Sequence, residues 1–367
     1  MRLKEELKRK SKSGQKTSFS MGELSSEEKK LIEKIRSTTK SLNLNNVTRT
    51  KAYLDFYRCH REIHWAFLGH MVSRNGGWNM TDLQGDLLAN LLTEREQKSF
   101  FSFLERGNWL IFQDVFPQFL LYEESIKRNK SFFHLLPLFN VSIFMETIWN
   151  HFLRYQDCYL LAIALIINEQ SYLEKRVIQN PVYKKNVFDT PEFKVQELFA
   201  FTYILLPYQE GKLKMKGQIL HHFDNLSERI KLGKRLYSLL FQNETMLKGY
   251  LDWANSQPHT GSRKDYWPQL FHHLKEGIPS NGYHLRLSAC QLKPNAERLY
   301  SPELSNSWKN VKHQPAEIGD WFSDWRIIYF LIDADEYIDG EIINGYCKSL
   351  ERLELAIKAK KTLAIFE

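Results

Sequence analysis

Residues 48–71 read TRTKAYLDFYRCHREIHWAFLGHM, and their pattern decides the fold. Bulky side chains recur every three or four positions, so on a helix they fall on one side. These side chains are Tyr53, Tyr57, His60, His64, Phe67 and Met71. Charged residues such as Lys51 and Glu62 face the other way. The pattern predicts one amphipathic helix whose buried side carries histidines.

The helical pattern continues on both sides of this stretch. Asn75-Gly76-Gly77 predicts the end of the helix, because glycine takes the left-handed C′ conformation without strain. Ser or Thr followed three positions later by Glu or Gln predicts further helix starts. The resulting helices cover residues 26–40, 82–92 and 94–106, and apolar runs add 139–170, 191–208 and 220–253. We therefore predict an all-α fold with a multi-helix, orthogonal or bundle-like body.

Charge and composition divide the chain into three parts. Residues 1–40 hold twelve Lys or Arg and six Glu, which is most of the net charge of +8. We predict a basic leader with a short helix over 1–45 and a nearly neutral helical body over 46–255. Six of the eleven prolines lie between residues 256 and 320, so few helices can be long there. We expect 256–367 to form an irregular Pro-rich layer plus C-terminal helices, packed on the body.

The sequence excludes several functional classes. It contains no P-loop, no G-x-G-x-x-G and no G-x-S-x-G motif. The longest apolar run, residues 159–167, is too short for a transmembrane segment, which needs about 20 residues. The four cysteines are scattered, without a C-x-x-C pair, so we predict buried, reduced thiols and a cytoplasmic protein.

His60 and His64 form the first candidate site. Histidines four residues apart on one helix face can bind a single metal ion. The adjacent Glu of the H-E-x-x-H motif is missing, and the local sequence offers no third ligand. Two core histidines bonded to neighbouring groups therefore remain the alternative.

A second candidate site follows directly. We expect Arg74, Asn75, Trp78, Asn79 and Asp82 to form a polar, aromatic loop between two helices. Such a loop can present hydrogen-bond donors to a ligand, although helix capping would account for the same residues. If the chain folds back at Gly76-Gly77, this loop and the histidine face line one pocket.

Residues 63–83, IHWAFLGHMVSRNGGWNMTDL, resemble the signature of the YppC-like family from Bacillus-type bacteria. The function of that family is unknown, so the resemblance provides no catalytic residues. It implies a bacterial, cytosolic protein.

Three functional hypotheses follow from the sequence. The first is a helical interaction or scaffold protein with a protein partner, using the abundant apolar and aromatic surface. The second is a metal- or small-ligand-binding enzyme centred on His60, His64 and residues 74–82. The third is binding of nucleic acid or a membrane surface through residues 1–40, to which a solvated, frayed tail is the alternative.

Overall fold

The computed structural model describes residues 2–13, 24–190, 203–220, 223–276, 283–332 and 338–363. Ten helices of twelve or more residues lie within these ranges, so the fold is predominantly helical, as predicted. They are α1 (Arg2–Ser13), α2 (Ser26–Leu42), α3 (Asn46–Cys59), α4 (His64–Asp82), α5 (Glu94–Lys127), α6 (Ile143–Tyr155), α7 (Cys158–Leu173), α8 (Leu226–Phe241), α9 (Glu244–Ser256) and α10 (Ile343–Leu363). A π-helical turn, Glu174–Ile178, continues α7.

The predicted helix through residues 48–71 is in fact two helices. The chain reverses at residues 60–63, and α4 packs back along α3. Tyr53 meets Trp65 edge to face at 5.4 Å, and Tyr57 stacks on Phe67 at 5.1 Å. No glycine or proline marks this turn in the sequence. The apolar stripe that predicted one helix is therefore buried by folding on itself.

Gly76-Gly77 does not end α4, which continues to Asp82. A Cβ at Gly77 would collide with Asn46 Oδ1 and lie 2.5 Å from His259 Nε2, so close packing explains this glycine. The predicted helix over 82–92 is also wrong, because residues 83–92 form turns. The Thr81 hydroxyl donates to the carbonyls of Trp78 and Gly261 and does not cap a helix.

Two of the predicted capping boxes are confirmed. Ser25 with Glu28 begins α2, and Thr93 with Glu96 begins α5. Helix α5 is longer than the predicted 94–106 and contains Pro117. The predicted helix over 139–170 divides at Gln156, which adopts the left-handed conformation with φ 53°. The predicted helix over 220–253 divides at the cap of α9, Asn243.

A β-hairpin interrupts the helical body. Strands β1 (Tyr203–Glu210) and β2 (Lys212–Ile219) pair antiparallel, with Tyr203 opposite Ile219, around a turn at Gly211. The helix predicted over 191–208 is therefore wrong for residues 203–208, while 191–202 lie outside the described ranges. Gly211 has φ 66°, a conformation that favours glycine and permits the tight turn.

The segment after α9 is irregular, as expected from its prolines. It contains the two-residue strands β3 (Phe271–His272), β4 (Leu287–Ser288), β5 (Gln291–Leu292) and β6 (Leu299–Tyr300). Strand β3 pairs parallel with β6, and β4 pairs antiparallel with β5. Short helical turns occur at Arg263–Asp265, Leu304–Ser307, Trp325–Ile328 and Tyr329–Ile332. Helix α10 follows, with Leu350, Leu353 and Ile357 buried at the predicted spacing.

Cys290 and Cys347 form a disulfide, which corrects the prediction of four reduced thiols. Glu354 of α10 accepts hydrogen bonds from the backbone N–H of Arg286 and of Leu287, at 3.0 and 2.8 Å. These bonds hold the β4–β5 hairpin against α10, so the two cysteines meet across a separation of 57 residues. Of the other two cysteines, Cys59 is exposed and Cys158 is half-buried, so neither is the buried thiol expected.

Helix α1 packs on the body, so the expectation of a solvated leader is wrong for residues 2–13. Leu7 is fully buried, and Lys10 forms a 2.8 Å ion pair with Glu146 of α6. Lys4 and Lys8 lie over the Trp325 ring at 5.3 and 5.1 Å. None of the helices in the described ranges has both the length and the apolar character needed to cross a membrane.

Candidate functional site

A cavity of about 280 Å³ lies between five helices and one strand. Helices α3, α4, α5, α7 and α8 form its walls, together with Ile204 of β1. The lining is mainly aliphatic and aromatic, with a small number of polar side chains. This composition is typical of sites that bind small organic molecules.

The cavity follows from the spacing of residues along its helices. Helix α5 lines it with Phe100, Phe103, Leu104, Gly107, Asn108 and Ile111, which share one face because they are three or four positions apart. Gly107 lies in the middle of this face, and a Cβ there would meet no heavy atom within 4 Å. Gly69 and Gly76 of α4 and Gly233 of α8 line the same space. The absence of a side chain at Gly107 therefore leaves room beside this face of α5.

Glu169 is the carboxyl group of greatest chemical interest in the cavity. It lies on α7, and its Oε1 accepts a 2.9 Å hydrogen bond from Gln170. Burial raises the pKa of Glu169 to about 8, with a smaller contribution from the charge of Asp114. The side chain is therefore mostly protonated and neutral at pH 7.

The arginines of the cavity wall already have acidic partners. Arg49 of α3 forms a buried ion pair with Glu105, and Arg229 of α8 forms one with Glu174. Arg229 also donates to Gln170 Oε1 at 3.0 Å, which connects this pair to Glu169. The Nε–H of Arg49 is buried without a hydrogen-bond partner.

Two aromatic residues lie near Glu169. The charge of Glu169 raises the pKa of Tyr53, although burial of that phenol has the larger effect. The Trp65 indole is close enough to lower the pKa of Glu169 slightly. Its Nε1–H nevertheless reaches no acceptor in hydrogen-bonding geometry. This end of the cavity thus combines a carboxyl group with two aromatic rings.

The residues predicted to form a ligand-binding loop lie on helix α4, which corrects their expected secondary structure. Asn75 and Asn79 line the cavity. The Asn75 side chain pairs with the backbone of Leu205 in β1 through two 2.8 Å hydrogen bonds. Asn79 accepts a 3.2 Å hydrogen bond from Arg263. Both asparagines therefore join α4 to other parts of the chain.

Arg74, Trp78 and Asp82 do not line the cavity. Arg74 is buried over the Trp253 ring at 4.4 Å, and burial lowers its pKa to about 10. The Trp78 ring lies 4.6 Å from that of Tyr266. Asp82 forms a 2.6 Å ion pair with Arg263. These contacts attach α4 to α9 and to the segment that follows it.

His60 and His64 do not share a helix face. His60 caps the end of α3 and lies 4.7 Å from the Phe56 ring. His64 begins α4, is hydrogen-bonded to the Tyr237 hydroxyl at 2.9 Å and stacks on Phe241. Burial lowers the pKa of His64 to about 4, so this imidazole is neutral at pH 7. Neither histidine lines the cavity.

Within the part of the chain that the structure describes, no three His, Cys, Asp or Glu side chains are grouped to hold a metal ion. The structure thus adds no further ligand to the metal site proposed at His60 and His64.

A buried polar network reaches the cavity wall from the other side of α4. His259 Nε2 is 2.8 Å from Asn46 Oδ1, and its Nδ1 is 3.4 Å from Asp265. Asn46 donates to the hydroxyl of Ser73, which lines the cavity. Asn46 separates the histidine from the serine, so this is not a Ser-His-Asp catalytic triad. Its contacts join α3, α4 and the segment after α9.

Sequence reasoning missed Glu169, Arg49 and Arg229. One available signal was the polar triplet Asn168-Glu169-Gln170 within the apolar helix α7. A carboxyl group in such a helix requires a special environment, because burial disfavours its charged form. The other walls come from distant parts of the sequence, which no local pattern brings together.

The chain matches the family described as "Protein of unknown function (DUF2515)" over residues 41–337. It is also similar to the uncharacterized protein YppC of Bacillus subtilis (strain 168). The two are 41% identical over 273 residues, which cover 70% of this chain and 84% of the relative. No solved structure matches the chain. The relative confirms the resemblance that residues 63–83 indicate.

Proposed function

Because the chain belongs to DUF2515, a family of unknown function, we propose its function from geometry: it binds a small, largely apolar molecule between its helices. The observation that carries this proposal is the cavity of about 280 Å³ with its apolar and aromatic walls. A few polar groups, including those of Glu169 and Asn79, provide fixed points for orienting the ligand.

The size of the cavity supports binding of a compound larger than benzene. An engineered apolar cavity of roughly 150 Å³ binds benzene, and this one is nearly twice as large. A ligand of suitable shape would bury apolar surface against these walls, which favours binding.

This proposal supports the small-ligand hypothesis from the sequence, at a different place. Asn75 and Asn79 belong to both sites, whereas Glu169 replaces the two histidines as the central ionisable group. Metal binding by His60 and His64 and ligand contacts of Arg74, Trp78 and Asp82 stay predictions. Three other functional statements also stay predictions: the scaffold role, polyanion binding through residues 1–40 and the cytoplasmic location. The same holds for two structural ones, which are the three-part division of the chain and the orthogonal or bundle-like packing of its helices.

Substitutions at Gly107 test the proposal. Gly107→Phe places a large side chain in the cavity, whereas the matched control Gly107→Ala adds a single methyl group. The neutral probe is indole, with binding measured by titration calorimetry and by the rise in melting temperature. We expect indole to bind the wild type and Gly107→Ala within threefold of each other, and Gly107→Phe at least tenfold more weakly.

Circular dichroism establishes that both variants are folded. Absence of saturable binding to the wild type, or equal affinity of the two variants, would contradict a ligand site in this cavity.

A further inference from the structure

We infer that the ligand is an organic amine, bound as its ammonium ion, with the Glu169 carboxylate as counter-ion and the rings of Tyr53 and Trp65 beside it. This inference rests on the proposed function and adds the chemical class of the ligand. It is based on the ion pairs around the cavity: the two arginines of the wall have acidic partners, whereas the Glu169 carboxyl has no basic partner among the described residues.

Among the ion pairs of the described residues, Glu169 has no basic partner. Arg49 is paired with Glu105, and Arg229 with Glu174, so both arginines of the wall are already neutralised. Within the described ranges, the Glu169 carboxyl accepts a hydrogen bond from the uncharged amide of Gln170 and has no ion-pair partner. A cation in the cavity would therefore complete an ion pair that the chain leaves incomplete.

The surroundings of Glu169 favour an ammonium group over other cations. Tyr53 and Trp65 line the cavity together with Glu169, and their ring centroids lie 5.4 Å apart. Aromatic faces attract alkylammonium ions, and this attraction is strongest where water is excluded. A metal ion would need several oxygen or nitrogen ligands, and no such group is present in the described residues.

The apolar remainder of the cavity suits the body of an amine. Phe100, Phe103 and Leu236 are among the apolar side chains that line it. An amine with an aromatic or branched aliphatic body would bury that body against these side chains. A carboxylic acid would instead place its negative charge near Glu169, without a free arginine to neutralise it.

The ion pair predicts how affinity changes with pH. Without a cation the half-buried carboxyl of Glu169 holds its proton, since removal from water raises its pKa to about 8. An ammonium ion displaces this proton, so its affinity rises with pH up to about 8 and is constant above that, until the amine itself loses its proton near pH ~10.

Other ionisable groups face the same region. Asp114 lies on α5, and burial raises its pKa to about 7. Tyr53 on α3 has a pKa raised further above its ordinary value by burial. Arg49, paired with Glu105, and Arg229, paired with Glu174, also line the cavity. Asp114 titrates about one unit below Glu169, so substitution of Glu169 is needed to assign the pH effect.

Three probes of similar size and different charge test the inference. They are 2-phenylethylamine, 2-phenylethanol and phenylacetic acid, titrated by calorimetry at pH 6 and pH 8. The proteins are the wild type, Glu169→Gln, and the control Glu123→Gln, which removes an exposed carboxylate from α5. Glu169→Gln resembles the protonated carboxyl in shape, so we expect it to fold, and circular dichroism checks this.

We expect the amine to bind the wild type at pH 8 at least tenfold more tightly than the alcohol does. The amine should also bind at least tenfold more tightly at pH 8 than at pH 6. In Glu169→Gln the preference for the amine and its pH dependence should be lost, while the alcohol affinity changes less than threefold. Glu123→Gln should behave like the wild type.

The possible failures are distinguishable. If the alcohol binds and the amine binds no better, or if phenylacetic acid binds best, the cavity is a ligand site and the inference is wrong. If none of the three probes binds the wild type, the proposed function fails as well. Should Glu169→Gln fail to fold, the pH dependence of the amine against the alcohol in the wild type still decides the question.

Discussion

The side chain of Asn75 pairs with the backbone of Leu205 as a neighbouring strand would. Its Nδ2 donates to the Leu205 carbonyl and its Oδ1 accepts from the Leu205 N–H, both at 2.8 Å. Leu205 lies opposite Gly217 in the hairpin, and the Gly217 N–H donates outward to the Gly340 carbonyl. The helix thus satisfies backbone groups on one outer edge of a two-stranded sheet.

Replacing Asn75 should therefore be costly. In Asn75→Ala two buried backbone groups of Leu205 lose their partners, and we expect a loss of about 2–4 kcal/mol in the free energy of unfolding. Chemical denaturation measures this, with the exposed Asn306→Ala as the control at about 0.5 kcal/mol or less. A loss under about 1 kcal/mol in Asn75→Ala would mean that water readily replaces the asparagine.

The free energy of unfolding should decrease as pH rises, because of Glu169. Folding raises its pKa from 4.5 to about 8, so the folded state holds a proton that the unfolded state releases. The contribution of this bound proton to the free energy of unfolding is fully present below about pH 4.5 and is lost as pH rises to about 8. Asp114 contributes in the same direction up to about pH 7. Between pH 7 and 8 the decrease therefore belongs mainly to Glu169.

Glu169→Gln should remove that part of the decrease. We expect the wild type to lose about 1 kcal/mol in the free energy of unfolding between pH 7 and 8, and the variant to lose clearly less, because only Asp114 still releases a proton there. At pH 8 the variant should be more stable than the wild type, on the order of 3 kcal/mol. Urea denaturation at both pH values measures this, and parallel curves for the two proteins would refute the assignment.

Two glycines within helices should respond oppositely to alanine. Gly107→Ala adds a methyl group where no atom is within 4 Å, so better helix propensity should stabilise the protein by about 0.5–1 kcal/mol. Gly77→Ala meets Asn46 and His259, and we expect a loss of about 1–3 kcal/mol. Thermal denaturation of both variants gives the comparison. Similar changes in both would show that packing does not distinguish the two positions.

The docking of α1 predicts that the leader contributes to stability. Leu7 is fully buried, so Leu7→Ala should lower the free energy of unfolding by about 2–3 kcal/mol. Glu5→Ala changes an exposed residue of the same helix and should have little effect. Melting temperatures of the two variants test this, and a wild-type value for Leu7→Ala would restore the solvated leader.

The disulfide should be a major stabilising element under oxidising conditions. Closing a loop of 57 residues contributes about 4 kcal/mol through the lost entropy of the unfolded chain. We expect Cys347→Ser to melt at a lower temperature than the oxidised wild type, and at about the same temperature as the wild type reduced with dithiothreitol. If reduction leaves the wild-type melting temperature unchanged, the cross-link has little effect on stability.

Short sequence patterns correctly predicted where two of the helices begin. The caps at Ser25 and Thr93 are chemical patterns of four residues, and both helices begin where these patterns place them. The reversal at residues 60–63 has no such pattern, because it results from packing α3 on α4. The prediction of a helix end at Gly76-Gly77 is wrong because a glycine that ends a helix and one that permits close packing look alike in sequence.

The candidate site was less predictable than the fold. Asn75 and Asn79 belong to the conspicuous stretch 63–83, so they were identified, although their helical setting was not. Glu169 and Gly107 acquire their roles only when α5 and α7 come together, about sixty positions apart in the chain. Burial raises the pKa of Glu169, and burial is likewise a property of the folded protein.

The walls of the cavity extend from Arg49 to Leu236, so one bound molecule would touch segments that lie far apart in the sequence and meet only in the folded protein. Binding free energy would then act as folding free energy, amounting to about 2.7 kcal/mol at a ligand concentration one hundred times Kd. Unfolded chains are removed by proteases, so a cell rich in the ligand would accumulate more of this protein at an unchanged rate of synthesis. The lifetime of the protein in the cell would thus increase with the concentration of its ligand.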